Sequence, residues 1–276
     1  MKTRINGLLL GMMGSFVFCA PSFAQDTGKT HNFRIGAEVS SYEYKEPGLM
    51  KLSGMMYGFS TEYLNNGGVG RIKGSVPIQL RGRLNYMRGD DITYDGSYHS
   101  GGSLKNTGKS GYFFDTAFLG GAELKLGGNF SAAPYMGLAY RYLIDNDDGG
   151  PGDYKRKQTY IYLPIGADWK KPLPSGWSLA INTELDVLLR GDNTSYVKHY
   201  YGTNLKFKQD SGWGLRLSVK TEKDFKAVGV FVEPFYRYWD IAKSNSVRYT
   251  YGGLLHEAWE PKNRTNEYGL KFGVTF

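Results

Sequence analysis

Along most of the chain apolar and polar side chains alternate one for one. Residues 266–276 show it most clearly. Tyr268, Leu270, Phe272, Val274 and Phe276 fall on one face of an extended strand, and Glu267, Gly269, Lys271, Gly273 and Thr275 on the other. A two-residue period means a strand with one apolar and one polar face. The same period predicts nine earlier strands, starting near Phe33, Gly54, Val76, Tyr112, Pro134, Ile161, Leu179, Trp213 and Val228. Each is about ten residues, the length of a tilted membrane strand. Glycine-, proline- and asparagine-rich turns separate some of them (45–48, 65–68, 126–129, 171–176), and long polar stretches separate others (89–110, 145–157, 191–210, 242–265).

From the third strand on, long loops follow odd strands and short turns follow even ones. The predicted fold is therefore all-β, a transmembrane up-and-down antiparallel barrel of about ten strands with every long loop at one end. Single-chain bacterial barrels use an even strand number. The short first loop and the longer 65–75 connection break the alternation, so eight or twelve strands are alternatives.

The terminal strand, with apolar residues every second position and a final Phe276, resembles the C-terminal signature of bacterial outer-membrane β-barrels. That resemblance implies recognition of Tyr268, Leu270, Phe272, Val274 and Phe276 by the barrel-assembly machinery. The start of the chain agrees with it. A basic Lys2 and Arg4, an apolar run over residues 7–18 and a Ser22-Phe23-Ala24 cleavage site read as a secretory signal peptide. Residues 1–24 are expected to be removed, leaving 25–276 as one barrel domain in the outer membrane of a Gram-negative bacterium. The leader also holds the only cysteine, Cys19, and a cysteine-free remainder suits an oxidising compartment.

Composition narrows the class further. Tyrosine (22 residues), glycine (38) and a mean hydropathy of -0.43 do not describe a helical membrane protein. The formal charge of +8, lowered by two when Lys2 and Arg4 leave, points to anionic lipopolysaccharide; no nucleic-acid-binding motif is present.

The alternation places many charges on the inward face: Arg34, Glu38, Glu62, Arg81, Arg83, Asp115, Glu123, Lys125, Arg141, Asp168, Glu184, Asp186, Arg190, Arg216, Lys220, Glu233, Arg237, Glu267 and Lys271. Their signs nearly cancel, and a ten-stranded lumen is narrow. The expectation is an ion-pair network filling the barrel, with a thin mixed-charge pore as the alternative. In the predicted loops, Tyr196, Lys198, His199, Tyr200, Tyr201, Lys206, Lys208, Arg248, Tyr249, Tyr251 and Trp259 interleave aromatics with cations. That chemistry suits sugars and anionic polysaccharides, a glycan or other host ligand; equally, it continues hairpins above the membrane and supplies an aromatic girdle.

Catalytic chemistry is thinly represented. His99, His199 and His256 lie in predicted outer loops, and Asp90, Asp91 and Asp186 near the predicted rim. This resembles, in size and placement only, the omptins, ten-stranded outer-membrane proteases with rim carboxylates and an Asp–His couple. No omptin motif aligns, so no family residue transfers. His99-Ser100 is the only adjacent pair that an outer-membrane lipid hydrolase would use. Asp145 opens an EF-hand-like stretch, but Gly149 and Arg156 stand at ligand positions. The reading is a non-enzymatic barrel without cofactor or metal. Its long loops contact lipopolysaccharide or an external ligand, as an adhesin or receptor does. A small porin-like diffusion channel and a rim protease or lipid hydrolase are the alternatives.

Overall fold

The computed structural model describes residues 31–66, 70–72, 76–97, 102–146, 154–225 and 227–276. The expected leader, the His99-Ser100 pair and the centre of the EF-hand-like stretch lie outside the described residues. Ten long strands form a closed antiparallel barrel: β1 His31–Glu46, β2 Met50–Asn65, β3 Val76–Ser97, β4 Ser103–Ala122, β5 Phe130–Asn146, β6 Arg156–Pro172, β7 Trp177–Ser195, β8 Gly212–Asp224, β9 Gly229–Ile241 and β10 Asn263–Thr275.

Each strand pairs with its sequence neighbour, and β10 pairs with β1 to close the ring. Phe33 and Phe276 exchange backbone hydrogen bonds of 3.3 and 2.8 Å at that seam, with their rings stacked 6.4 Å apart. Closure leaves the ring of strands without an edge, which is what lets strands cross a bilayer.

The outward face is apolar and accessible. Phe118, Met136, Leu138, Leu189, Val232 and Phe272 are all exposed, as lipid-facing side chains must be. Phe59, Tyr86, Tyr112 and Tyr142 hand ring contacts from β2 to β5 at 5.9–6.2 Å, forming part of an aromatic girdle. A narrow barrel also crowds its inner face. At Gly58 and Gly137 an added Cβ would collide with the carbonyl oxygens of Tyr86 and Phe118 on the next strand, so these inward positions tolerate only glycine.

The strands are longer than the period alone indicated, reaching 22 residues in β3. Much of the expected 89–110 loop is strand: β3 continues to Ser97 and β4 begins at Ser103. A bulge between Gly89 and Ile92 hides this by switching the alternation midway. A second bulge corrects an inward assignment. The register between β6 and β7 shifts at Ile161/Tyr162, where Ile161 faces Arg190 and Tyr162 faces Leu188. Arg190 therefore turns outward, 61% exposed, and its guanidinium bonds Asp192 instead of the lumen. Lys125 is also exposed, on the short segment Leu124–Gly127 at the turn end.

Candidate functional site

The interior of the barrel is filled in three tiers. At the turn end, Arg34 pairs with Glu62 and Arg81 with Asp168, while Lys220 stands 3.6 Å from Glu222 and Lys271 3.8 Å from Glu233. These side chains, with Glu123 accepting from Ser131 (2.7 Å), line a polar well of about 180 Å³. Its lining reaches inward as far as Arg83, Asn85, Arg216 and Arg237.

The middle tier is the most buried. Arg216 bonds Asp186 at 2.7 Å, Asp115 at 2.8 Å and the Tyr162 hydroxyl oxygen at 2.6 Å. Arg83 grips Glu184 with two bonds of 2.9 and 2.7 Å, and the Tyr135 hydroxyl donates to the same carboxylate at 2.7 Å. Arg237 bridges Glu38 (2.5 Å) and Glu267 (3.2 Å). Arg141 lies 3.6 Å from Asp115 and stacks over Phe113 at 4.2 Å. Some of these pairs join adjacent strands, as Arg216 with Asp186 and Arg237 with Glu267 do, and others cross the lumen, as Arg83 with Glu184 and Arg216 with Asp115 do. Paired this way, buried charges avoid most of the cost of leaving water.

Towards the loop end the filling becomes apolar. Tyr42, Tyr44, Leu52, Met56, Met87, Ile92, Phe113 and Leu143 form one buried cluster. A second cluster, which includes Leu119, Tyr135, Tyr160, Tyr162, Leu188, Trp239 and Ile241, runs beside the charged tiers from the level of Arg81 up to the loop end. Above them Arg156 sits among three carboxylates: Glu46 at 2.5 Å, Asp145 at 3.5 Å and Glu260 at 3.5 Å. Burial, countered in part by Arg156, raises the Glu260 carboxyl to about 7, with Glu46 pushing the same way. The inward charges Arg34, Glu38, Glu62, Arg81, Arg83, Asp115, Glu123, Arg141, Asp168, Glu184, Asp186, Arg216, Glu233, Arg237 and Lys271 thus all face the lumen, in ion pairs with one another or lining its well.

Sequence reasoning missed this cap. Ser40, Tyr42, Tyr44 and Glu46 continue the inward period of β1, and Arg156, Gln158 and Tyr160 that of β6. Extending the alternation into the presumed loops would have found them.

At the loop end two connections fold together. After β7 comes a one-turn helix, α1 Lys198–Tyr201, and a segment Leu205–Gln209 that pairs back on Gly191–Ser195. No helix was expected there. Between β9 and β10 a separate hairpin forms from Val247–Tyr251 and Leu254–Ala258. Val197, Leu205 and Phe207 join the two, packing against Tyr154, Tyr201, Val247, Tyr249 and Ala258. Asn245 accepts from the Lys208 N–H (2.7 Å) and donates its own N–H back to Lys208 (3.1 Å).

Tyr201 consequently meets Tyr249 at 5.0 Å and Tyr251 at 5.4 Å, and Tyr249 stacks with His256 at 5.4 Å. Lys155 lies over Tyr196, and Lys243 over Trp259 at 3.9 Å. Lys198, His199, Tyr200, Lys206, Lys208 and Arg248 stand exposed around this aromatic head.

The candidate rim chemistry is dispersed. Asp90 is held on the outer wall by Tyr57 and Arg88, Asp91 accepts from the Gly108 N–H, and Asp186 lies deep in the middle tier, not at the rim. Asp145 points inward to Arg156, which removes it from a calcium loop. Among the described residues no group of three His, Cys, Asp or Glu is placed to hold a metal ion.

No protein-family model and no curated protein matches the sequence. Among solved structures the chain is similar to the outer-membrane protease OmpT of Escherichia coli, with 7% identity, 92% of this chain and 99% of that chain covered, and a TM-score of 0.56. It also aligns with the transport unit of the autotransporter AIDA-I of Escherichia coli (11% identity, 92% and 94% covered, TM-score 0.42). Neisserial surface protein A aligns at 11% identity over 88% and 95%, with a TM-score of 0.34. The neighbours are bacterial outer-membrane β-barrel proteins; at such identities the likeness to OmpT is one of fold.

Proposed function

We propose that this chain is an outer-membrane barrel that works at its outer face and not through its lumen. In this reading the filled barrel is a rigid, non-enzymatic stand for the loop-end head. The head contacts lipopolysaccharide or an external anionic glycan, as an adhesin or receptor does. The observation that carries it is the joining of two loops, far apart in sequence, into one packed aromatic unit rimmed by Lys198, Lys206, Lys208 and Arg248. Aromatic faces stack on sugar rings while surrounding cations meet sulfate or carboxylate groups.

The test is binding of heparin, as a model polyanionic glycan, to the refolded protein in neutral detergent. K206Q/K208Q/R248Q is expected to weaken it at least tenfold, with unchanged heat-modifiable gel mobility as the control for folding. Unchanged binding by the triple variant contradicts the reading.

A further inference from the structure

The hairpin of Val247–Tyr251 and Leu254–Ala258 ends in a bare apolar tip. Tyr251 faces Leu254 across a two-residue turn, Gly252-Gly253, whose positive φ angles of 58° and 79° suit a tight hairpin. Leu254 and Leu255 are 67% and 68% exposed. No other large apolar side chain among the described residues is as exposed, not even Phe118 on the lipid-facing wall at 63%. Residues 250–255 carry no charge; Arg248 and Glu257, opposite one another in register, are the first charged residues behind them.

Two features limit what can cover the tip. Tyr251 and Leu254 share the face that Tyr249 turns to the head, whereas Leu255 and Thr250 lie on the opposite face. A flat partner would cover one face; apolar side chains on both call for a medium that surrounds the end of the hairpin. The other feature is charge. Over residues 196–210 and 243–259 the exposed cations are Lys198, Lys206, Lys208, Lys243 and Arg248, against the carboxylates of Asp210 and Glu257.

Direction excludes the bilayer that holds the barrel. Lys208 pairs with Asp192 on β7 and exchanges bonds with Asn245 at the foot of the hairpin. Tyr201 in α1, beyond the end of β7 at Ser195, meets Tyr249 and Tyr251. The hairpin therefore climbs away from the barrel, past the last residue of β7. Ser195 itself lies six residues beyond the lipid-facing Leu189, or about 15 Å along the membrane normal at the usual tilt.

We propose that this tip inserts into a second, anionic phospholipid bilayer facing the cell. Leu254 and Leu255 enter its acyl boundary, Tyr251 sits among the headgroups, and the cations behind meet the lipid phosphates. From Leu254 back to Glu257 is about 10 Å of strand, the depth that an interfacial segment reaches. The inference goes beyond glycan binding by the head, and its decisive residues are different ones.

The experiment holds the barrel in phosphatidylcholine nanodiscs and measures co-sedimentation with sucrose-loaded vesicles of phosphatidylcholine containing one-third phosphatidylserine. Empty nanodiscs are the blank. L254S/L255S is expected to weaken binding about thirtyfold. Vesicles of phosphatidylcholine alone should bind wild type at least about tenfold more weakly. L254S/L255S should keep wild-type heparin binding, which shows the head intact. Residues 25–276 hold no cysteine, so L254C can be labelled with nitrobenzoxadiazole. That label should brighten and shift to the blue on vesicle binding, while the same label on K206C should not.

Equal vesicle binding by wild type and L254S/L255S overturns the proposal, as does an unchanged label on vesicle-bound L254C. The labelled chain decides if the double serine variant also loses heparin. Equal binding to both vesicle compositions overturns the commitment to an anionic bilayer. Wild type that binds neither vesicle overturns insertion and leaves the tip to a protein pocket. Insertion through Leu254 and Leu255 without heparin binding by wild type removes the glycan reading alone.

Discussion

Replacing Arg216 with methionine strikes the middle tier where its charges converge. The guanidinium serves Asp186, Asp115 and Glu184, the last at 3.1 Å. Their losses are unequal. Glu184 keeps two bonds from Arg83 and one from Tyr135. Asp115 keeps Arg141 at 3.6 Å and the Tyr162 hydroxyl. Asp186, by contrast, loses the only cation within ion-pair distance of it among the described residues.

Stranding one buried carboxylate costs about 3–5 kcal/mol, or roughly a thousandfold in the unfolding equilibrium. Urea titration of the refolded barrel, followed by tryptophan fluorescence, measures the loss. Trp239 lies 5.0 Å from Tyr162 and reports locally. R216M should shift the equilibrium by that amount, and R216M/D186N should recover most of it because the orphaned charge is gone. A loss below about 1 kcal/mol, or no recovery in the double variant, would refute the idea that paired charges hold the interior together.

Two further perturbations probe other parts. Glu260 is raised to about 7 from the usual 4.5, so between those values the folded protein holds a proton that the unfolded chain has released. Stability should therefore fall as pH rises through that window, by at most about 3 kcal/mol, and stay flat above it. E260Q should remove this slope in urea titrations at pH 5 and 8, and an unchanged slope contradicts the assignment. The bulge in β7 makes a contrasting pair. R190Q should change stability by no more than about 0.5 kcal/mol, and R141Q, which alters a fully buried guanidinium, by about 2 kcal/mol or more in the same assay.

The membrane-facing half of the barrel was legible because lipid on one side and a packed lumen on the other impose a strict two-residue period. That rule placed Arg34, Glu62, Arg83 and Glu184 inward before their partners were known. It ran out where the physics changed. At the bulges of β3 and β7 one extra residue flips the faces, which moved Arg190 outward and left 89–97 looking like loop. Beyond the girdle the outer face meets water, so apolar residues turn inward, and Tyr42, Met87 and Phe113 no longer resemble a lipid-facing strand. The joining of Tyr201 with Tyr249 depends on two loops meeting across the mouth, which no local pattern encodes. Which charges pair across the lumen was likewise hidden, since Arg83 and Glu184 lie on β3 and β7.

Single-channel conductance of the refolded protein in a planar bilayer tests the central claim most directly. A barrel filled by the Arg216 tier and capped by the Tyr44–Phe113 cluster should insert, migrate as folded on a heat-modifiable gel, and show no discrete openings. Steady openings whose ion selectivity changes in R83Q or E184Q would contradict it, and would make the lumen the working part of the molecule.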